Sequence, residues 1–210
     1  MLRIALCDDH PIFREGLKRI LMQSSDIRVE VEAGKAAELL QDIEGKPIDI
    51  IVLDIALPDM NGLDVLKKLR SSGNPVGVLM LSMHPEEQYA IRALRAGASG
   101  YLQKESVPSE LLTAVRRIAS GRRYITESMA DRLAQELSTN QDKPPHEFLS
   151  DREYQVLCLL GSGKSVKEIA FELSLTPATV ATYRARVLSK LSLSSTVELV
   201  RYALEHKLID

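Results

Sequence analysis

Over roughly its first 120 residues the chain alternates short apolar runs with amphipathic stretches. The runs are Leu2–Cys7 and residues 27–31, 49–53 (DIIVL), 76–81 (VGVLML) and 100–102. Segments such as IIVL and VLML carry no alternating polar positions, the pattern of strands covered on both faces of a parallel sheet. Between them apolar residues recur at helical spacing: Ile12, Leu17, Ile20 and Leu21; Ala36, Leu39, Leu40 and Ile43; Leu63, Leu66 and Leu69; Ala90, Ile91 and Leu94. A fifth such set, Leu111, Leu112, Val115 and Ile118, follows the last run. Gly45/Pro47, Gly73/Pro75 and Gly97/Gly100 punctuate the joints. Five strand–helix units in a row predict an α/β fold, a flavodoxin-like five-stranded parallel (βα)5 sheet with helices on both faces.

After Gly121 the strand runs stop. Residues 128–137 have a helical pattern, and the polar stretch STNQDKPPHE follows, with Pro144–Pro145 unable to continue a helix. Beyond Phe148 everything reads as helix. Ser150 with Glu153, Ser165 with Glu168 and Ser195 with Glu198 each have the spacing of a capping box, and Thr176–Pro177 is an N-cap followed by proline at the first helical position. The organisation expected is a domain over residues 1–121, a partly helical linker over 122–147, and a small all-α four-helix domain over 148–210.

Composition narrows the class. The 210 residues are 45% hydrophobic and 27% charged, too apolar for a disordered chain, and 27 Lys and Arg nearly balance 29 Asp and Glu. Cys7 and Cys158 lie far apart in apolar runs, which excludes a disulfide scaffold and a cysteine zinc site. No apolar run approaches the ~20 residues of a membrane helix, and the start MLRIALCDDHP meets acid too soon for a signal peptide. A cytoplasmic protein without membrane contact is expected.

In an open parallel sheet, ligands bind beyond the carboxyl ends of the strands. There the first run ends in Asp8–Asp9, the third in Asp54, the fourth in Ser82, and the fifth leads into Lys104. With strand order 2-1-3-4-5 the first and third strands flank the switch point, so three carboxylates converge. Two bare carboxylates ~4 Å apart repel by roughly 4 kcal/mol at an effective dielectric of 20, so the set calls for a cation. Hard oxygen ligands point to Mg²⁺. A cation, Lys104 and the Ser82 hydroxyl would together stabilise an incoming phosphoryl group that a carboxylate attacks. A single strand-end Asp would be an ordinary helix cap; five such groups at successive strand ends are not.

The segments LCDDHPIFREGL, IIVLDIALPDMNGLDVLKKLR, VLMLS and AGASGYLQK resemble the receiver domain of bacterial two-component response regulators, over about the first 120 residues. That resemblance implies that Asp54 is the phosphoryl acceptor, supplied by a sensor histidine kinase. It implies that Asp9, Asp54 and the backbone carbonyl of Ala56 bind Mg²⁺ directly, with Asp8 acting mostly through water. Lys104 and Ser82 would hold the phosphoryl oxygens, and Tyr101 would be an aromatic reporter moving with Ser82. The side chain of Ala56 and His84 stand at positions that tune phosphate lifetime, and Pro58 and Gly62 shape the loop after Asp54.

In the helical domain eight Lys and Arg stand against eight Asp and Glu over residues 144–210, yet no acid lies between Glu172 and Glu198, where Arg184, Arg186 and Lys190 fall. From Pro177 onward Val180, Val187, Leu188 and Leu191 share one face, to pack on Ile169, Ala170 and Leu173. Ala178, Ala181, Thr182, Ala185, Arg186 and Ser189 share the other. Helix, short turn at Ser174–Leu175, helix is a helix-turn-helix over about 166–185, its second helix suited to the major groove. LSDREYQVLCLLGSGKSVKEIAFELSLTPATVATYRARVLSKLSL is similar to the LuxR/FixJ-type helix-turn-helix, and with the receiver this makes the NarL/FixJ class. By that resemblance Ala181, Thr182 and Ala185 occupy base-reading positions. Alanines offer only apolar contact such as a thymine methyl, so Thr179, Tyr183, Arg184, Arg186 and Lys190 are expected on phosphates.

The function implied is a phosphorylation-switched transcription regulator, a dimer on double-stranded promoter DNA, with RNA polymerase as a possible further partner. It catalyses no reaction beyond its own phosphorylation and dephosphorylation. Two alternatives stand beside it: a phosphorylation-independent DNA-binding factor with an idle receiver, and a phosphatase with an Asp nucleophile. The latter needs a second Asp two residues on, where Ala56 stands.

Overall fold

The structure is a computed structural model that describes residues 1–83, 86–138 and 144–209. It divides into two compact units, residues 1–137 and 138–210. In the first, β1 (Leu2–Cys7), β2 (Ile27–Ala33), β3 (Ile50–Asp54), β4 (Gly77–Ser82) and β5 (Gly100–Gln103) form one parallel sheet. Its order is β2-β1-β3-β4-β5, as expected for a doubly wound sheet. Helices α1 (Pro11–Leu21), α2 (Ala36–Asp42), α3 (Gly62–Ser71), α4 (Glu86–Arg95) and α5 (Val107–Ala119) connect and follow the strands.

Period-two alternation decides which face each side chain serves. Ile4, Leu6, Ile50, Val52, Leu79, Leu81 and Leu102 join Leu17 and Leu21 of α1 and Leu111, Val115 and Ile118 of α5 in one apolar core. The intervening Ala5, Cys7, Ile51 and Leu53 are equally buried. That double coverage is why the central strands show no polar alternation. Edge strand β2 does alternate: Arg28 and Glu32 are exposed while Ile27, Val31 and Ala33 are buried.

Three differences from the sequence expectations matter. Strands β3 and β4 each start one residue later than the apolar runs at 49 and 76, while ending in Asp54 and Ser82 as expected. The first unit also continues past residue 121. Tyr124 bridges to Gly100 and is 8% exposed, and Met129 of α6 (Glu127–Ser138) is 1% exposed. The segment read as the start of the linker is thus tied to the sheet, because two apolar side chains there find a core to enter.

In the second unit α7 (Asp151–Gly161) packs against α8 (Val166–Glu172), α9 (Pro177–Lys190) and α10 (Thr196–Glu205). Reciprocal capping boxes at Ser150/Glu153 and Ser165/Glu168 start α7 and α8, and Thr176 caps α9 as expected. The third box is only half formed. Ser195 accepts from the Glu198 N–H, but Glu198 Oε2 instead accepts from the backbone N–H and hydroxyl of Ser194, at 2.7 and 2.8 Å. Ser174 closes α8 in the left-handed region, φ 52°, and turns the chain into α9.

Candidate functional site

The parallel order delivers the carboxyl ends of β1 and β3 side by side, and chain direction places Asp8, Asp9 and Asp54 there. Asp8 and Asp54 are essentially sealed from solvent. Lys104 follows β5 directly and is buried beside them, its Nζ 2.7 Å from Asp8 Oδ2 and 2.8 Å from Asp54 Oδ2. The Phe13 ring lies 4.7 Å from the same ammonium. The remaining oxygens are oriented by backbone: the His10 N–H donates to Asp8 Oδ1 at 2.9 Å and the Ala56 N–H to Asp54 Oδ1 at 3.2 Å.

Three carboxylates against one ammonium leave this pocket two positive charges short. Burial, opposed by Lys104 and reinforced by the charge on Asp8, pushes the Asp54 carboxyl up from 3.8 to about 6. Burial disfavours the Lys104 ammonium as well, but Asp54 and Asp8 more than offset it and raise its pKa. Among the described residues, ligand atoms of Asp8, Asp9, His10 and Asp54 lie within 4.8 Å of one another. Asp9 Oδ1 is buried and accepts no hydrogen bond, although His10 Nδ1 stands 2.7 Å from it. A hard oxygen donor set with this charge deficit fits a divalent cation such as Mg²⁺.

The loop after Asp54 is held closely. Asn61 caps α3 by accepting from the Leu63 N–H at 2.8 Å. At Gly62 any Cβ would sit 2.1 Å from the Asp54 carbonyl oxygen, so only glycine lets α3 start this near the strand end. Asp59 was not singled out in the sequence. Its two carboxylate oxygens accept from the Ala36 and Ala37 N–H groups, both at 2.9 Å, and so cap α2 from the far side of the crevice. The N-cap residue Lys35 supplies no such bond. Burial is outweighed by these amide donors, and the Asp59 carboxyl is held below its ordinary value. A pairing 22 and 23 residues apart has no local signature, so only the folded chain reveals it. The Arg14 guanidinium, also not singled out in the sequence, donates to the Asp8 carbonyl oxygen.

Ser82 is buried at the end of β4, one residue past Leu81, the register partner of Asp54. Tyr101, opposite Met80 on β5, is fully buried. Ala56 is partly exposed. His84 lies outside the described residues. Beside the pocket, Ile12, Phe13, Gly16, Ile20, Val107 and Pro108 line an apolar groove of about 540 Å³ between α1 and α5, which reaches Lys104 and His10. Ile12 is 90% exposed there.

On α9, Val180, Val187 and Leu191 are buried with Ile169, Ala170 and Leu173 of the preceding segment. Ala178, Ala181, Thr182, Ala185, Arg186 and Ser189 are exposed, as the helical spacing predicts. Thr179, Thr182, Tyr183, Ala178 and Arg186 line a shallow groove of about 330 Å³, with the Arg186 guanidinium 6.0 Å from the Tyr183 ring centre. Two of the residues expected on phosphates have partners inside the unit. Arg184 Nε donates to Thr196 Oγ1 at 2.9 Å, and Lys190 Nζ lies 2.6 Å from the nearly buried carboxylate of Glu153.

Comparison with known proteins places residues 4–116 in the response regulator receiver domain family and residues 147–203 in the family of bacterial regulatory proteins of the luxR type. The chain is 34% identical to Response regulator UvrY of Escherichia coli K12 over 211 residues, covering all of this chain and 97% of that one. It is 39% identical to Transcriptional regulatory protein UhpA of the same strain over 201 residues, 96% of this chain and 97% of that one. Among solved structures it is similar to the response regulator ChrA of a heme-sensing two-component system. The TM-score is 0.53 at 33% identity, over 99% and 98% of the two chains.

Proposed function

This chain belongs to the NarL/FixJ-class response regulators, which join a receiver domain to a LuxR-type DNA-binding domain, and on that premise we propose that phosphorylation of Asp54 controls its regulation of transcription. The observation that carries this is the buried triad in which one ammonium, on Lys104, contacts both Asp8 and Asp54. Such a pocket is poised to gain negative phosphoryl oxygens only if further positive charge enters with them. Asp8, Asp9, Asp54 and the Ala56 carbonyl would hold a Mg²⁺ ion, which supplies charge neutralisation for the transferring group.

This chain's own residues do the rest. At neutral pH a carboxyl titrating near 6 is mostly ionised, so Asp54 is an available nucleophile. One of its oxygens bonds to phosphorus as the bond from phosphorus to the donor imidazole breaks, and the nitrogen electron pair stays with the imidazole. Lys104 then pairs with the phosphoryl oxygens, and the Ser82 hydroxyl, at the neighbouring strand end, donates to another. Ala56 leaves no acid in the place a phosphatase with an Asp nucleophile would need one, which argues against turnover of phosphomonoester substrates. The apolar groove between α1 and α5 offers a histidine kinase a seat contiguous with the pocket.

The added charge of roughly −1.5 to −2 draws Lys104 and Ser82 inward, and Tyr101 shifts with Ser82, biasing a two-state surface toward a dimer. The dimer presents α9 to paired half-sites of promoter DNA, with Ala181, Thr182 and Ala185 toward the bases and Thr179, Tyr183 and Arg186 toward phosphates. Among the described residues no helix is long and apolar enough to cross a membrane, in keeping with action on cytoplasmic DNA. The test is mass spectrometry and DNA titration with Mg²⁺ and a small phosphodonor. Wild type should gain one phosphoryl mass and DNA affinity. If Asp54→Asn does so equally, the assignment fails, and DNA affinity indifferent to the donor would favour an idle receiver.

A further inference from the structure

A larger cavity lies at the opposite pole of the sheet. It opens between the starts of the strands, beside Leu2, Asp49, Gly77 and Ser99, and has a volume of about 680 Å³. Because all five strands are parallel, this is the end remote from Asp54. The size is that of a small-molecule site. Its apolar lining is aliphatic throughout, drawn from residues such as Ile48, Ile51, Val76 and Ile118, with no aromatic ring.

The rim is cationic. Lys46, Arg122 and Arg123 line the cavity, all three exposed, and among the described residues none of their side chains has a hydrogen bond or ion pair. The carboxylate that also lines it, Asp49, is already taken: its oxygens accept from Arg3 Nε at 3.0 Å and Arg3 Nη2 at 2.8 Å. Three positive charges without a side-chain partner among the described residues therefore rim a hollow of mixed lining, in which Asn74 and Ser99 stand beside the aliphatic residues. Without a ring to stack on, the hollow disfavours an aromatic or nucleobase ligand. A negative head would meet the cationic rim, and a short saturated body the aliphatic part of the lining.

We propose that this cavity binds a small aliphatic anion, a carboxylate or phosphate among Lys46, Arg122 and Arg123 with a short acyl body against Ile48, Val76 and Ile118. The site is independent of the phosphorylation pocket. Its occupant touches residues 119 and 121–123, the stretch by which the chain leaves α5 and reaches the Tyr124–Gly100 bridge. A bound anion would thus be a second chemical input to the receiver.

The experiment is amide-resolved NMR titration of the full chain with hexanoate, octanoate, octanol and inorganic phosphate. A sedimentation arm uses phosphatidylglycerol vesicles, to separate a free acyl anion from a lipid surface. Octanoate should saturate with shifts centred on residues 46–49, 76–77 and 119–123. It should bind up to about fifteenfold more tightly than hexanoate, since each of its two extra methylenes is worth up to about fourfold. The K46A/R122A/R123A variant, which alters only exposed side chains, should keep the wild-type melting temperature and lose at least tenfold in octanoate affinity. Octanol or phosphate binding as tightly as octanoate would overturn the proposal. So would unsaturable shifts, an unaffected triple variant, or pelleting with vesicles without a response to free octanoate. Phosphodonor labelling of Asp54, followed in the same samples, tests the other site separately.

Discussion

Replacing Asp54 by Asn removes the phosphoryl acceptor, and the pocket's electrostatics predict that it also stabilises the metal-free protein. A carboxyl that titrates at 3.8 in the unfolded chain and near 6 in the fold binds its proton more tightly when folded. Stability is therefore lost as pH rises from 3.8 through 6, and above that window the ionised group carries the full penalty. For these values the cost is about 0.5 kcal/mol at pH 4, about 1.5 at pH 5 and about 3 at pH 7. Asn stands in for the neutral acid and escapes it, leaving Lys104 with Asp8 as its partner. In EDTA at pH 7 the variant's receiver should unfold with about 3 kcal/mol more stability, a rise of roughly 10 °C in its melting temperature. The gap should narrow to about 0.5 kcal/mol at pH 4. Magnesium should close it at pH 7 by stabilising the wild type, which alone has the full ligand set. Urea and thermal unfolding of both proteins across this pH range is the assay. A variant no more stable than wild type at pH 7, or a gap that is the same at pH 4, would refute the claim that Asp54 is a carboxylate held charged against its solvation.

Lys104→Ala leaves Asp8 and Asp54 buried without a cation, and loss of one partner from a buried pair costs about 3–5 kcal/mol; metal-free melts should show this, with Mg²⁺ restoring part of it and phosphodonor labelling strongly slowed. Asp59→Ala uncaps α2 and frees the β3–α3 loop, so stability should drop by about 0.5–2 kcal/mol and Mg²⁺ affinity should fall; unchanged Mg²⁺ titration would deny the clamp a positioning role. Arg186→Ala should weaken DNA binding and reduce the salt slope by about 1. Lys190→Ala should instead destabilise the helical unit, by leaving the nearly buried Glu153 carboxylate with only its capping bond from the Ser150 N–H and no cation, and this contrast is read by running salt-dependent DNA titration and melts on both variants.

Element types, their order and the five strand-end residues of the pocket follow from local pattern. Hydrophobic periodicity distinguishes strand from helix within a few residues, and the position of Asp8, Asp54, Ser82 and Lys104 relative to the apolar runs is a property of chain order alone. The same holds for the exposed face of α9, which helical geometry projects without reference to any neighbour. What periodicity cannot carry is a partner chosen across the fold. Asp59 reaching the start of α2, Lys190 drawn to Glu153, and Arg184 to Thr196 all depend on which elements tertiary packing sets side by side. The extent of the first unit was hidden for a like reason: Tyr124 and Met129 look like scattered apolar residues until a core is present to receive them. Charge shows the division most sharply. The sequence by itself determined that three acids and one lysine meet beyond the sheet; only the tertiary structure decided how far water is excluded, and with it that Asp54 is raised to about 6, because solvation is a property of the assembled surroundings and not of any residue in them.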